Sequence, residues 1–137
     1  MSIDDFRELQ QLNDYSLATF LGIYKEFGEK LSNSKYVEFH ENVITIDYFT
    51  YKFISKHQMV FENGISYLRI KFETTTIDDR NYHFDIYLRR DGVIKTEYSN
   101  MLDGYRIDTI KQSTPEVIER QVANLMFQFF TQNEIIE

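Results

Sequence analysis

A chain of 137 residues is the usual size of one domain, so residues 1–137 are expected to fold as a single unit. Hydrophobic residues make up 42% and charged residues 27%, which is typical of a globular protein, and the absence of cysteine excludes disulfides, thiolate zinc sites and cysteine nucleophiles. The net charge of −7 disfavours broad contact with nucleic-acid backbone or anionic membrane, and no apolar run approaches the roughly 18 residues of a membrane span.

The chain is predicted to begin with a helix. Ser2 and Asp5 form the pattern of a capping box, which places the first helical residue at Ile3. Asp14 is also a suitable N-cap, so the pattern allows one long helix or two helices separated at Asn13-Asp14. Ser32-Asn33-Ser34 is expected to end the helical region. The first apolar edge is formed by Phe6, Leu9 and Leu12. Apolar residues then recur at spacings of three and four along one helix face: Leu17, Phe20, Leu21, Tyr24, Phe27 and Leu31.

The segment from Lys35 to about Ile110 changes to a period of two and is rich in β-branched and aromatic residues. Asn63-Gly64 is typical of a two-residue type I′ turn, because both positions of that turn need a positive φ. Residues 105–110 are a candidate for a last edge strand. We expect a five- or six-stranded antiparallel sheet of successive hairpins, with strands at 35–40, 43–54, 57–62, 65–76, 82–90 and 93–99.

The register of the last hairpin follows from which side chains it would bury. A two-residue loop at Asp91-Gly92 would set Leu88 opposite Lys95 and bury a charge. Adding one residue to the loop sets Leu88 opposite Ile94 instead. We therefore predict a three-residue loop, 90–92, whose glycine adopts the left-handed conformation of a bulge.

A C-terminal helix is predicted from Thr114-Pro115-Glu116, which supplies a cap residue, a proline at the first position and an acid in the first turn. Phe127 and Phe130 widen its apolar stripe beyond what one sheet face requires. They are expected either to complete the core or to form an exposed contact, such as a homodimer through this helix. The fold class is α+β, with both helices on the sheet face that holds Leu68, Ile70, Phe84 and Ile86.

The opposite face of the central strands is predicted to be open to solvent, because apolar and polar residues alternate there. Tyr and Arg are enriched at protein interfaces, and rings beside cations also suit single-stranded nucleic acid. Glu73 and Glu97 would partly neutralise the cations. We rank a solvated face first, a protein-binding face second and nucleic-acid binding third. The candidate binding residues are Tyr67, Arg69, Lys71, His83, Asp85, Tyr87 and Arg89.

No catalytic signature accompanies these residues: the sequence has no phosphate loop, nucleophile elbow or His-Glu-x-x-His motif. His40 and His57 are expected in solvated loops. His83 and Asp85 point to the same side of a strand, but no third ligand is placed beside them. We therefore predict a non-enzymatic protein with no metal and no cofactor.

The leading hypothesis is a small, acidic, cytoplasmic protein that binds a protein partner, as accessory, immunity and inhibitor proteins do. The N-terminus is acidic where a signal peptide is basic. Abundant Ile, Phe, Tyr, Asn and Lys favour a low-GC bacterium, its phages or its mobile elements. Two alternatives are a small-molecule or cryptic enzymatic pocket between sheet and helices, and an acidic mimic of nucleic acid that inhibits a nucleic-acid-binding protein.

Overall fold

The computed structural model describes residues 1–98 and 101–136, apart from the side chains of residues 14 and 15. Within these ranges the strands form one antiparallel, curled sheet in the order β1-β2-β3-β4-β5-β6, so that neighbours along the chain are neighbours in the sheet. The predicted α+β class is confirmed. The described elements are the helices α1 (Ile3–Leu31), α2 (Ile107–Lys111) and α3 (Pro115–Gln132), and the strands β1 (Val37–His40), β2 (Val43–Tyr48), β3 (Tyr51–Glu62), β4 (Ile65–Thr75), β5 (Asn81–Arg89) and β6 (Ile94–Thr96).

Helix α1 begins where the capping box predicts. The Ser2 hydroxyl accepts from the Asp5 amide at 3.1 Å, and the Asp5 carboxylate accepts from the Ser2 amide at 3.3 Å. The helix is continuous through residues 13 and 14, so the alternative of two helices is wrong. It ends at the C-cap Ser32, whose amide donates to the Gly28 carbonyl.

The predicted strands 43–54 and 57–62 are wrong in their boundaries. The chain reverses at Phe49-Thr50, between β2 and β3, and β3 then runs uninterrupted to Glu62. Phe49 and Thr50 have φ values of 50° and 65°, the left-handed pair of a type I′ turn that normally selects Asn or Gly. The sequence carries no such signal here, and the alternating pattern simply continues through the turn.

The hairpins with glycine turns are confirmed. Asn63 and Gly64 have φ values of 51° and 76°, and Glu62 pairs with Ile65 across them. In the last hairpin Leu88 pairs with Ile94, as the three-residue loop predicts, and Gly92 has a φ of 86°.

The chain after this hairpin differs from the prediction. Strand β6 ends at Thr96, and position 99 of the predicted strand 93–99 lies outside the described residues. The edge strand predicted at 105–110 is wrong, because only one bridge forms, between Val93 and Arg106, before α2 begins. Ile107 and Ile110, three residues apart, are both buried, a spacing that suits a helical turn and not a strand.

Both long helices pack on the predicted face of the sheet. The buried cluster includes Leu68, Ile70, Phe84 and Ile86 together with side chains of α1 and α3. Its centre is aromatic: the ring of Phe53 lies 5.4 Å from that of Phe84 and 5.1 Å from that of Phe129. No helix among the described residues is long and apolar enough to cross a membrane.

Candidate functional site

The structure brings the seven candidate binding residues together on the outer face of the sheet, the face turned away from the helices. Strand β4 carries Tyr67, Arg69 and Lys71, and their cross-strand partners on β5 are Arg89, Tyr87 and Asp85. His83 lies beyond them, opposite Glu73. The face is not uniformly open to water, however, because Tyr67 is only 8% exposed and Asp85 only 5%.

The centre of this face is an ion pair. The guanidinium of Arg69 donates from Nη2 to Oδ2 of Asp85 at 2.8 Å, and this bond is the main cause that raises the pKa of Arg69. Glu97 lies beside the pair and accepts from the Asp85 amide at 3.0 Å. Burial, and then the neighbouring Asp85 carboxyl, raise the pKa of Glu97 above its ordinary value. Within the described residues, Nε of Arg69 and Oδ1 of Asp85 have no hydrogen-bond partner.

Two other cations of this face have acidic neighbours. Lys71 lies 3.1 Å from Glu73, and hydrogen bonds from Lys71 and Lys56 lower the pKa of that carboxyl. Arg89 donates to Asp91 at 2.7 Å. Lys95, opposite Tyr87, instead lies 5.6 Å from the centre of the Tyr67 ring. The basic and aromatic surface is therefore partly neutralised within itself, as expected from its interspersed acids.

Among the described residues, no group of three or more His, Asp or Glu is arranged to hold a metal ion. His40 is exposed beside Glu41 at the β1–β2 turn. The predicted loop position of His57 is wrong, because His57 lies within β3 and its ring is 4.6 Å from that of Tyr24.

The two phenylalanines proposed as a contact on the C-terminal helix separate in the structure. Phe130 is 1% exposed and its ring lies 5.1 Å from that of Tyr51 and 5.6 Å from that of Phe49. It completes the core, so its assignment as an interface residue is wrong. Phe127 is 55% exposed and is not joined to Phe130 as one surface.

A more extensive set of exposed apolar residues lies where the first half of α1 faces the β3–β4 hairpin. The first half of α1 and the β3–β4 hairpin project beyond the core and leave a groove of about 720 Å³ between them. We call it the α1–hairpin groove. Its apolar lining is Phe6, Leu9 and Leu12 from α1 with Met59 and Phe61 from β3, and its polar lining is Gln10, Asn13, Ser16, Gly64, Ser66 and Arg90.

Exposure distinguishes the two halves of the apolar stripe on α1. The second half is buried on the sheet, where Phe20 and Phe27 are 0% exposed. In the first half Phe6 is 62%, Leu9 49% and Leu12 64% exposed. Monomeric proteins rarely leave a contiguous apolar surface in water, so this half of the helix is suited to a partner.

The hairpin adds its own exposed apolar residues, since Phe61 is 65% and Ile65 51% exposed. Sequence reasoning recognised the apolar edge of the helix but did not assign it to a surface. Helix length was the missed signal. A helix of 29 residues measures about 43 Å, whereas six strands side by side measure roughly 29 Å. Because α1 contacts both β1 and β5, it crosses the sheet, and its first turns, where Phe6 and Leu12 are more than 60% exposed, lie outside the buried core.

Arg90 is the charged residue among those that line the groove, and it is exposed. It forms no salt bridge or side-chain hydrogen bond with any part of the chain that the structure describes. The neighbouring Arg89, by contrast, is paired with Asp91. The groove therefore combines apolar walls with one cation that has no partner within the described chain.

Comparison of the chain with protein-family models found no match, and comparisons with the curated proteins and with the solved structures found none either.

Proposed function

We propose that this chain is a non-catalytic protein-binding domain whose docking site is the α1–hairpin groove. The observation that carries the proposal is the change along the apolar stripe of α1. The apolar residues recur at spacings of three or four in both halves of the helix, with one gap of five positions between Leu12 and Leu17, but the sheet covers only the second half. The exposed half faces a second exposed apolar element, the tip of the β3–β4 hairpin.

The energetics favour a protein partner. Burying one exposed Leu or Phe side chain contributes about 1.5–3 kcal/mol, and the groove presents four of them, Phe6, Leu9, Leu12 and Phe61, each at least 49% exposed. Grooves walled by apolar side chains are a common way to bind an amphipathic helix, whose anchors recur every three or four residues. Arg90 at the groove would orient such a helix by pairing with one of its carboxylates.

The finer parts of the proposal are supported by composition. A chain with no cysteine and a net charge of −7 suits action in the cytoplasm. Its Ile-, Asn- and Lys-rich composition suits an accessory, immunity or inhibitor protein of a low-GC bacterium or its mobile elements.

Two features count against the alternatives. The space between sheet and helices, where a small-molecule pocket was considered, is filled by packed rings such as Phe53, Phe84 and Phe129. A mimic of nucleic acid needs a surface of unneutralised carboxylates; on the outer face of the sheet, Glu73 does not provide one, because it lies within salt-bridge distance of both Lys56 and Lys71. Neither alternative has an observation of its own in its favour.

Site-specific photo-crosslinking tests the docking site. A benzophenone amino acid is placed at Phe61, in the groove, and in a matched variant at Phe127, which is similarly exposed but lies on α3. After irradiation in the host cytoplasm, we expect discrete protein adducts from position 61 and not from position 127. Leu9→Asp should abolish those adducts without changing the circular dichroism spectrum. Equal labelling at both positions, or adducts that survive Leu9→Asp, would contradict the groove as the docking site.

A further inference from the structure

We propose that the occupant of the α1–hairpin groove is the projecting half of α1 from a second copy of this chain. This inference rests on the proposed function, since it names the partner of the same groove. The resulting assembly is a two-fold symmetric homodimer in which each copy both donates a helix and accepts one.

The first argument is that the chain carries the kind of segment the groove requires. An occupant needs exposed apolar residues at helical spacing, and Phe6, Leu9 and Leu12 provide them on a rigid helix that is already formed. A preformed helix does not have to be ordered on binding, which removes one of the main entropic penalties of association.

The second argument is charge complementarity. The only charged residue among those lining the groove is Arg90, which has no partner in the described part of the chain. The projecting half of α1 is acidic, and Asp5 and Glu8 stand four residues before Leu9 and Leu12, beside them on the helix surface. Glu8 is exposed and has no salt bridge or side-chain hydrogen bond with the described residues. An acidic helix laid into the groove of a second copy can therefore bring Glu8 of one copy to Arg90 of the other.

The third argument is symmetry. The donor surface and the acceptor surface lie on the same helix and share Phe6, Leu9 and Leu12. A surface that complements itself produces a closed two-fold dimer, the commonest form of homo-oligomer, in which both copies of the apolar patch are covered.

The area of the patch is also sufficient. With Ile3, Phe61 and Ile65 at least half exposed, the apolar area available is on the order of 600 Å² per copy. A specific interface buries at least about 1,000 Å² in total over the two partners, so the patch is large enough for a dimer.

The experiment exploits the two reciprocal ion pairs. Analytical ultracentrifugation is used on four proteins: wild type, Glu8→Arg, Arg90→Glu, and the control Arg120→Glu. The control has the same change in net charge as Arg90→Glu but alters an exposed residue of α3. Circular dichroism verifies that each variant is folded.

We expect the wild type and Arg120→Glu to be dimeric at about 100 µM, and each groove variant to dissociate at least roughly fivefold more readily. A one-to-one mixture of Glu8→Arg and Arg90→Glu restores both ion pairs in the heterodimer. The two substituted side chains, one from each copy, then meet as one pair of opposite charges, and the unchanged Glu8 and Arg90 meet as the other. The mixture should therefore dimerise under conditions where each variant alone is monomeric.

The outcomes separate the two proposals. A monomeric wild type, or a mixture no more dimeric than its components, overturns self-association. If position 61 nevertheless crosslinks a different protein in cells, the groove is a docking site for that protein and the proposed function stands. If position 61 yields no groove-dependent adduct and the wild type is also monomeric, both proposals fall.

Discussion

The two partners of the ion pair on the outer face of the sheet should differ strongly in how much stability is lost when each is removed. Asp85 has a side chain only 6% exposed, whereas that of Arg69 is 35% exposed, and the two are joined at 2.8 Å. Removing Arg69 leaves the buried carboxylate of Asp85 with Glu97 as its charged neighbour. Removing the charge of Asp85 instead leaves a guanidinium that water still reaches, and it also relieves the repulsion with Glu97.

The expected magnitudes follow from that difference in burial. Breaking a buried pair by deleting one partner costs about 3–5 kcal/mol, and the partial exposure of Arg69 places Arg69→Met near the lower end, at roughly 3 kcal/mol. Asp85→Asn, which retains the shape of the side chain, should cost about 1 kcal/mol. The double variant Arg69→Met/Asp85→Leu replaces the pair by apolar groups and should lie within about 1 kcal/mol of wild type.

Urea unfolding followed by far-ultraviolet circular dichroism at several pH values provides the measurement, since the chain has no Trp. Asp85→Asn as destabilising as Arg69→Met, or a double variant Arg69→Met/Asp85→Leu as destabilising as Arg69→Met, would contradict the assigned roles.

Four further substitutions test other parts of the fold by the same unfolding measurement. Gly22→Ala should stabilise the fold by about 1 kcal/mol, because the added Cβ meets nothing within 4 Å. Gly28→Ala should destabilise it by about 1–3 kcal/mol, because its Cβ would lie 2.6 Å from the ring of Phe39. Equal effects of the two substitutions would exclude the packing of Gly28 against Phe39. Thr50→Gly should stabilise by roughly 0.5–1 kcal/mol by relieving a β-branched residue at a φ of 65°, and a loss of stability would argue against the left-handed turn. Glu97→Gln should stabilise the fold at neutral pH, because the pKa of Glu97 is raised in the folded state and its ionisation therefore costs stability. This penalty is absent below the unfolded pKa of about 4.5 and fully present above the folded pKa. The gain in stability should therefore vanish in acid, and a gain that persists there would refute this origin.

Much of the architecture could be predicted because it depends on local rules. The helix start at Ile3 follows from a hydrogen-bonded box between Ser2 and Asp5, which needs no tertiary contact. The register of the last hairpin follows from the rule that a shift of one residue exchanges the faces of a strand, and this rule alone predicts the pairing of Leu88 with Ile94.

The errors arose where long-range packing overrode local preference. Phe49-Thr50 adopts a turn that its residue types disfavour, and the exposed ring of Phe49 gains an edge contact with Phe130 of α3, which is 81 positions away by numbering. Asp85 was assigned to a solvated face because it alternates with apolar residues. Its burial depends on Arg69 and Glu97, which other strands and loops bring beside it.

The sequence by itself determined the α+β class, the order of the long helices and hairpins, and which side of β4 and β5 faces the core, because caps, glycine turns and periodicity act over a few residues. Only the tertiary structure decided the candidate site. The stripe containing Phe6 and Leu9 looks the same in sequence as the stripe containing Phe20 and Phe27, and the two differ only in whether a sheet lies beneath them. That difference depends on where α1 crosses the strands, a relation among distant segments that no local pattern encodes.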